Sequence, residues 1–189
     1  MTTYEQNQAF GGVIDALEAI GARYAIWGGL AVTSYAEPRF TQDMDVLLSP
    51  QGFDVSLFVR TLVRTHYRVD ERVVRQSLTG GFFNVIHPHY GVKVDFYVPV
   101  EPELQAMLRA RTYRRFDVAR QAAYVTATDL VAAKLRAYED SRSTRHLDDI
   151  ASVVRLQGDN LDLERIEIAA ARLGLLGVWR NVWAGNRLQ

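Results

Sequence analysis

Aspartate is a poor strand residue, yet the run Asp43-Met44-Asp45-Val46-Leu47-Leu48 places two of them in an otherwise apolar stretch. Side chains alternate along a strand, so residues two apart share a face. Asp43 and Asp45 therefore point one way while Met44 and Val46 point to a core. Val92-Lys93-Val94-Asp95-Phe96-Tyr97-Val98 repeats the pattern, with Lys93, Asp95 and Tyr97 opposite the valines and Phe96. If the two strands are neighbours, Asp43, Asp45 and Asp95 converge. Carboxylates that close repel unless a cation or proton lies between them. A pair of hard divalent ions, typically about 3.5–4 Å apart, would supply that charge, and oxygen ligands favour Mg²⁺ or Mn²⁺ over zinc. The competing reading is three solvent-facing aspartates on half-exposed strands. Lys93, two residues before Asp95 and on its face, is expected to pair with the carboxylates.

Upstream, Gly28-Gly29 closes the short apolar run Tyr24–Trp27 and precedes a stretch of small residues. Glycines there let a backbone approach a phosphate, and the following helix offers unpaired N–H groups and a positive dipole end. A Gly-Gly pair alone is more often only a turn.

The elements that must position these residues follow from periodicity. Phe10, Val13, Ile14, Leu17 and Ile20 mark a helix over 6–21 ended by Gly21. Strands are predicted at Tyr24–Trp27, Asp43–Leu48, Tyr67–Val74, Phe82–His87 and Val92–Val98, with a short one at Ala122–Val125. Helices are predicted over Leu30–Ala36, ended by Pro38, around Phe53–Val63, and over Glu103–Ala110. Thr128 is read as the cap of a long helix running through Tyr138, followed by helices at about 144–157, 161–173 and 175–184. His87 and His89 flank Pro88 and read as turn residues. The fold class expected is α+β: a mixed sheet flanked by helices over residues 1–100, and a mainly helical region over 101–189 packed on that core.

Composition bounds the chemistry. With no cysteine, thiolate metal sites, disulfides and cysteine nucleophiles are excluded. The formal net charge is zero, from 22 basic and 22 acidic side chains, so no global bias toward nucleic acid exists. No apolar run approaches the roughly 20 residues that span a membrane. The start, Met1 to Gln8, lacks the basic-then-apolar pattern of a secretion signal, so a cytoplasmic protein without membrane contact is expected. All the basic residues but Lys93 and Lys134 are arginines. Arg109, Arg111, Arg114, Arg115 and Arg120 crowd one stretch with only Asp117 opposing, either as a solvated face or as a track for RNA.

Trp27-Gly28-Gly29, a spacer, and Asp43-Met44-Asp45-Val46 together resemble the signature of the polymerase-β-type nucleotidyltransferase superfamily, with Asp95 matching its third carboxylate. The lead-in Arg39-Phe40-Thr41-Gln42 and the downstream Lys134-Leu135 and Arg145-His146-Leu147-Asp148-Asp149 are similar to the AbiEii-like branch, which includes toxins of toxin–antitoxin pairs. The resemblance spans roughly residues 20–155. It implies a nucleotidyltransferase fold, Mg²⁺ or Mn²⁺ held by Asp43, Asp45 and Asp95, and a nucleoside triphosphate held by Gly28, Gly29, Arg39, Thr41, Lys134 and Asp149. The acceptor would be RNA, protein or a small molecule, and an antitoxin-type partner would accompany a toxin role. Arg39 is otherwise an exposed loop arginine, and Lys134 otherwise lies on the wet face of its helix. One departure matters: His146 stands where relatives keep a carboxylate, which leaves open a binding module of the same fold without turnover.

Overall fold

The computed structural model describes residues 3–37 and 39–186; Pro38, read as the end of the second helix, and Met1 and Thr2 lie outside the described residues. The chain divides into two compact units. One comprises residues 1–30 and 40–124, the other residues 31–39 and 125–189.

The first unit is built on a six-stranded mixed sheet in the order β3-β4-β2-β1-β6-β5. Its strands are β1 (Tyr24–Trp27), β2 (Asp43–Leu48), β3 (Gly81–His87), β4 (Val92–Val98), β5 (Thr112–Arg115) and β6 (Gln121–Tyr124). β2 and β4 pair in parallel, while β1 runs antiparallel to β2 and β3 antiparallel to β4. Thus the two aspartate-bearing strands are neighbours, the condition on which the approach of their carboxylates depends. The core beneath them is apolar: Met44, Val46, Val94 and Phe96 are fully buried, and Phe96 stacks on Phe83 at 4.6 Å.

The helices of this unit obey simple local rules. α1 (Thr3–Ala19) buries Phe10, Val13, Ile14 and Leu17 at helical spacing. It ends where Gly21 adopts φ +62°, so that Gly21 and Ala22 N–H groups close back on Glu18 and Leu17 carbonyls. α3 (Val55–Arg64) begins at Asp54, whose carboxylate accepts the Leu57 N–H at 2.9 Å. α5 (Pro102–Ala110) starts with proline at its first helical position.

Three expectations are corrected. Tyr67–Val74 is not a strand: only Arg68 bridges to Ile86, and the chain then forms α4 (Glu71–Ser77). Asp70, which continued the alternation, instead accepts the Arg72 and Val73 N–H groups and starts a helix. Past Glu101 the short strand expected at Ala122–Val125 forms as β6, but it has a partner the sequence did not announce: β5 pairs antiparallel with it. Arg114 and Arg115, which fill half of β5, hid that strand among charges. Asp117 closes the hairpin, accepting the Ala119 and Arg120 N–H groups at 2.8 Å. Arg120 is ion-paired to both Asp117 and Asp15, so this member of the arginine cluster is structural.

The second unit is helical: α6 (Ala127–Ser141), α7 (Arg145–Gln157), α8 (Leu163–Arg172) and α9 (Leu176–Asn186), with most of α2 (Gly28–Tyr35). The third correction falls here. Thr126, not Thr128, caps α6; its hydroxyl accepts the Asp129 N–H at 3.1 Å and donates to the Asp129 carboxylate at 2.7 Å. The Thr-x-x-acid spacing belongs to Thr126, three residues before Asp129. Thr128 is buried and accepts the Asp162 N–H at 3.0 Å, tying α6 to the start of α8. Among the described residues no helix is long and apolar enough to cross a membrane.

Candidate active site

Strand register decides which carboxylates meet. In the parallel pairing of β2 and β4, Asp45 lies opposite Asp95 and Asp43 opposite Lys93. Residues directly opposite on neighbouring strands share a face with their Cβ atoms about 4.5–5.5 Å apart. All four polar groups therefore sit on one patch of the sheet. Asp43 and Asp45 are half-buried and Asp95 is buried.

The Lys93 ammonium donates to Asp95 Oδ2 at 2.7 Å, fulfilling the expected pairing. That hydrogen bond, reinforced by the charges of Asp95 and Asp43, raises the Lys93 pKa above its ordinary value. Asp95 Oδ1, by contrast, is buried with no hydrogen-bond partner. A buried carboxylate oxygen without a partner is costly, and such an atom commonly marks a place for an ion or substrate. Across the β3–β4 pairing, Asn84 lies opposite Asp95, a neighbour that sequence reasoning missed although the alternation of Phe82, Asn84 and Ile86 contained it.

Gly28 fixes the other side of Asp45. It has φ +65°, and a Cβ added there would lie 2.0 Å from Asp45 Oδ2 and 2.8 Å from Asp45 Cγ. The Asp45 carboxylate thus occupies the space a side chain would need. Gly28 also opens α2, whose N-terminal end carries partial positive charge suited to a carboxylate or phosphate. Gly29 follows as its second residue. The Thr41 hydroxyl donates to the Asp43 carbonyl at 3.3 Å, and Gln6 donates to the Thr41 carbonyl, which pins the lead-in to β2.

An aromatic row borders the carboxylates. Trp27 and Tyr97 meet edge to face at 5.3 Å, and Tyr97 contacts Phe82 at 5.1 Å. Burial, aided by the negative charges of Asp45 and Asp95, raises the Tyr97 pKa, so the phenol stays protonated.

The fit of this patch to a divalent ion can be judged from its atoms. It offers hard oxygen donors, an unpaired buried Asp95 oxygen, and a neighbouring Asp45 held by Gly28. Among the described residues no group of three His, Cys, Asp or Glu side chains is placed to hold a metal ion, so the expected three-carboxylate ligand set is not assembled. Mg²⁺ does not require one, because it keeps several waters and is commonly bound by one or two carboxylates plus substrate phosphates. The residues fit.

The remaining predicted residues form a second cluster, within the helical unit. Asp149 on α7, only 3% exposed, accepts from Arg39 Nη2 at 3.0 Å and is ion-paired with Arg39 Nε and with Lys134 on α6, each at 2.7 Å. Lys134 is buried, so it does not lie on the wet face of its helix. One carboxylate holding two cations leaves an excess positive charge. His146 stands close by, its Nδ1 buried without a partner. Burial, then the charge of Lys134, lower its pKa against the opposing pull of Asp149.

The sign of that shift gives a prediction. A histidine with a depressed folded pKa is protonated more readily when unfolded, so its cost to folding is absent above the ordinary value near 6.5. It grows as pH falls through 6.5 toward the folded value. His87, lowered by burial, acts the same way. The melting temperature is expected to fall between pH 7 and 5, and His146→Asn to flatten that decline; an unchanged profile in the variant would refute the assignment.

No protein-family model matches the chain, and no curated protein does either. Solved structures share its fold. ANT(2")-Ia in complex with adenylyl-2"-tobramycin superimposes with a TM-score of 0.62 at 14% identity, covering 89% of this chain and 97% of the other. An antigenic nucleotidyltransferase-like protein from Paracoccidioides brasiliensis gives 0.58 at 16%, covering 92% and 88%. The lincosamide antibiotic adenylyltransferase LnuA, lincomycin-bound, gives 0.50 at 14%, covering 79% and 95%. Identities this low establish the fold: an α+β nucleotidyltransferase fold with a mixed sheet.

Proposed function

We propose that the chain is a metal-dependent nucleotidyltransferase that moves a nucleoside monophosphate from a nucleoside triphosphate to a hydroxyl acceptor. The observation that carries this reading is the register of β2 and β4, which sets Asp45 beside Asp95 with an unpartnered Asp95 oxygen. The shared fold of solved adenylyltransferases supports it.

In the reaction the acceptor oxygen bonds to the α-phosphorus, the α–β bridging bond breaks, and pyrophosphate leaves. The acceptor proton passes to the Asp95 carboxylate. Mg²⁺ or Mn²⁺ at Asp43, Asp45 and Asp95 would neutralise phosphate charge as it builds. Gly28 and Gly29 at the start of α2 present backbone N–H groups to phosphate. Lys93 holds Asp95 in place through the bond to Oδ2, leaving Oδ1 without a protein partner. Arg39 and Lys134, gathered on Asp149 in the helical unit, would supply cations for phosphate. Most of the acceleration is positioning and charge stabilisation, as in phosphoryl transfer generally.

Incubation with each labelled nucleoside triphosphate, Mg²⁺ or Mn²⁺, and mixed small-molecule, RNA and protein acceptors tests the reading. Label transfer is the expected result. A second reading is a nucleotide-binding module without turnover, favoured by His146 in place of the relatives' carboxylate. Nucleotide- and metal-dependent stabilisation without transfer would select it, and a melting temperature indifferent to both would sink the two together. A toxin role with an antitoxin partner rests on the AbiEii-like motifs alone, and growth arrest on expression is its test.

Gly28 offers a separable check. Gly28→Ala places a Cβ at positive φ, which costs roughly 1–2 kcal/mol, and displaces the Asp45 carboxylate. Transfer is expected to fall at least about 100-fold, the scale of a roughly 1 Å misplacement, while the fold survives. Comparable losses in stability and activity would argue against Asp45 as a metal ligand.

A further inference from the structure

On the sheet unit, a groove of about 480 Å³ lies between α4 and β3, within the usual range of roughly 300–1,000 Å³ for small-molecule sites. Its lining gathers Val73, Phe82 and Ile86, which are 43%, 46% and 40% exposed. Three large apolar side chains left open around one hollow are unusual for a surface that binds nothing.

Two charged side chains line the groove, Arg68 and Asp70. Arg68 lines it and is exposed, and among the described residues no carboxylate pairs with its guanidinium. Asp70 also lines it, but its Oδ1 accepts the Arg72 and Val73 N–H groups and so serves the start of α4. The groove therefore presents an apolar wall, a guanidinium that no carboxylate pairs, and a carboxylate tied to the first N–H groups of α4.

Its position links it to the carboxylates. Phe82, Asn84 and Ile86 alternate on the same face of the sheet as Lys93, Asp95 and Tyr97. Asn84, in the groove wall, lies opposite Asp95, and Phe82 touches Tyr97. A molecule lying along β3 would have one end at Asn84 and Asp95. Its other end would lie about 7 Å away at Ile86, whose backbone is bridged to Arg68.

We propose that this groove is the acceptor pocket, and that it takes a small hydroxyl compound with an apolar body and one negative charge. The proposal rests on the nucleotidyl-transfer reading. The hydroxyl at the Asn84 end loses its proton to Asp95, its oxygen bonds to the α-phosphorus, and pyrophosphate leaves. The anionic group pairs with Arg68, and the body packs on Phe82 and Ile86.

The probe is 8-anilinonaphthalene-1-sulfonate, an apolar anion that fluoresces when sheltered from water. Titration of the full chain is expected to show one saturable site, displaced by 4-(4-hydroxyphenyl)butyrate and not by tobramycin. Arg68→Glu and Ile86→Asp should each weaken the probe at least about tenfold while retaining the melting-temperature rise caused by ATP with Mg²⁺. Arg68 is exposed, so its variant should fold even if the other does not. Label transfer from ATP to the hydroxy acid should fall with Arg68→Glu. Probe binding unchanged in both variants overturns the groove, and so does transfer to tobramycin that ignores Arg68→Glu. Site-dependent probe binding without transfer to the hydroxy acid overturns the acceptor role. Loss of every nucleotide effect instead refutes the transfer reading, leaving the groove result to stand apart.

Discussion

Asp45→Asn is expected to lower nucleotidyl transfer by roughly three orders of magnitude, the scale on which removing one charge-stabilising group from a reaction centre acts. The substitution keeps the shape of the side chain, and with it the fit against Gly28. It removes the negative charge that, with Asp95 directly across the β2–β4 pairing, would hold a divalent ion. The melting temperature without ligands should change by no more than about 2–4 °C, the equivalent of 1 kcal/mol for a chain this size. Wild-type protein should gain thermal stability from ATP with Mg²⁺, and the variant should lose that gain. Measured by label transfer and thermal melting, activity unchanged in Asp45→Asn would remove the carboxylate site from the mechanism. A large fall in melting temperature would show Asp45 to be structural instead.

The sheet was legible where a single physical rule governed each segment. β2 and β4 match their predicted limits because an aspartate on one face and an apolar residue on the other leave only period two. β5 was illegible because four residues at a sheet edge, alternating half-buried and exposed, bury too little to write a pattern. The Tyr67–Val74 error has a different origin. Val69, Val73 and Val74 favour a strand, but the Asp70 cap, worth typically about 1 kcal/mol, tips the segment into α4. In the candidate site, the pairing of Lys93 with Asp95 followed from their spacing on one strand. The partnership of Arg39 with Asp149 did not. It joins residues 110 apart in the chain, and no local period encodes that distance. The groove on β3 was likewise unreadable, because it depends on α4 standing where a strand was expected.

Asp149→Ala is expected to be among the most destabilising single changes in the helical unit. Asp149 is almost fully buried between α6 and α7 and is the ion-pair partner of both Arg39 and Lys134. Removing it leaves the buried Lys134 ammonium with no counter-charge, and breaking a buried pair this way costs about 3–5 kcal/mol. Arg39, a quarter exposed, can turn toward water and adds little to that cost. Replacing both partners, Lys134→Met with Asp149→Leu, removes the stranded charge and should restore much of the loss, so the two substitutions must be strongly non-additive. Chemical denaturation of the singles and the double measures the coupling. If Lys134 serves only this pair, the double variant will keep nucleotide-dependent stabilisation. If the Lys134 ammonium itself binds phosphate, the double variant, which keeps only the Arg39 cation, will fold yet lose much of that stabilisation, which is the outcome expected here. Additive effects of the two substitutions would mean that Lys134 and Asp149 do not stabilise one another in solution.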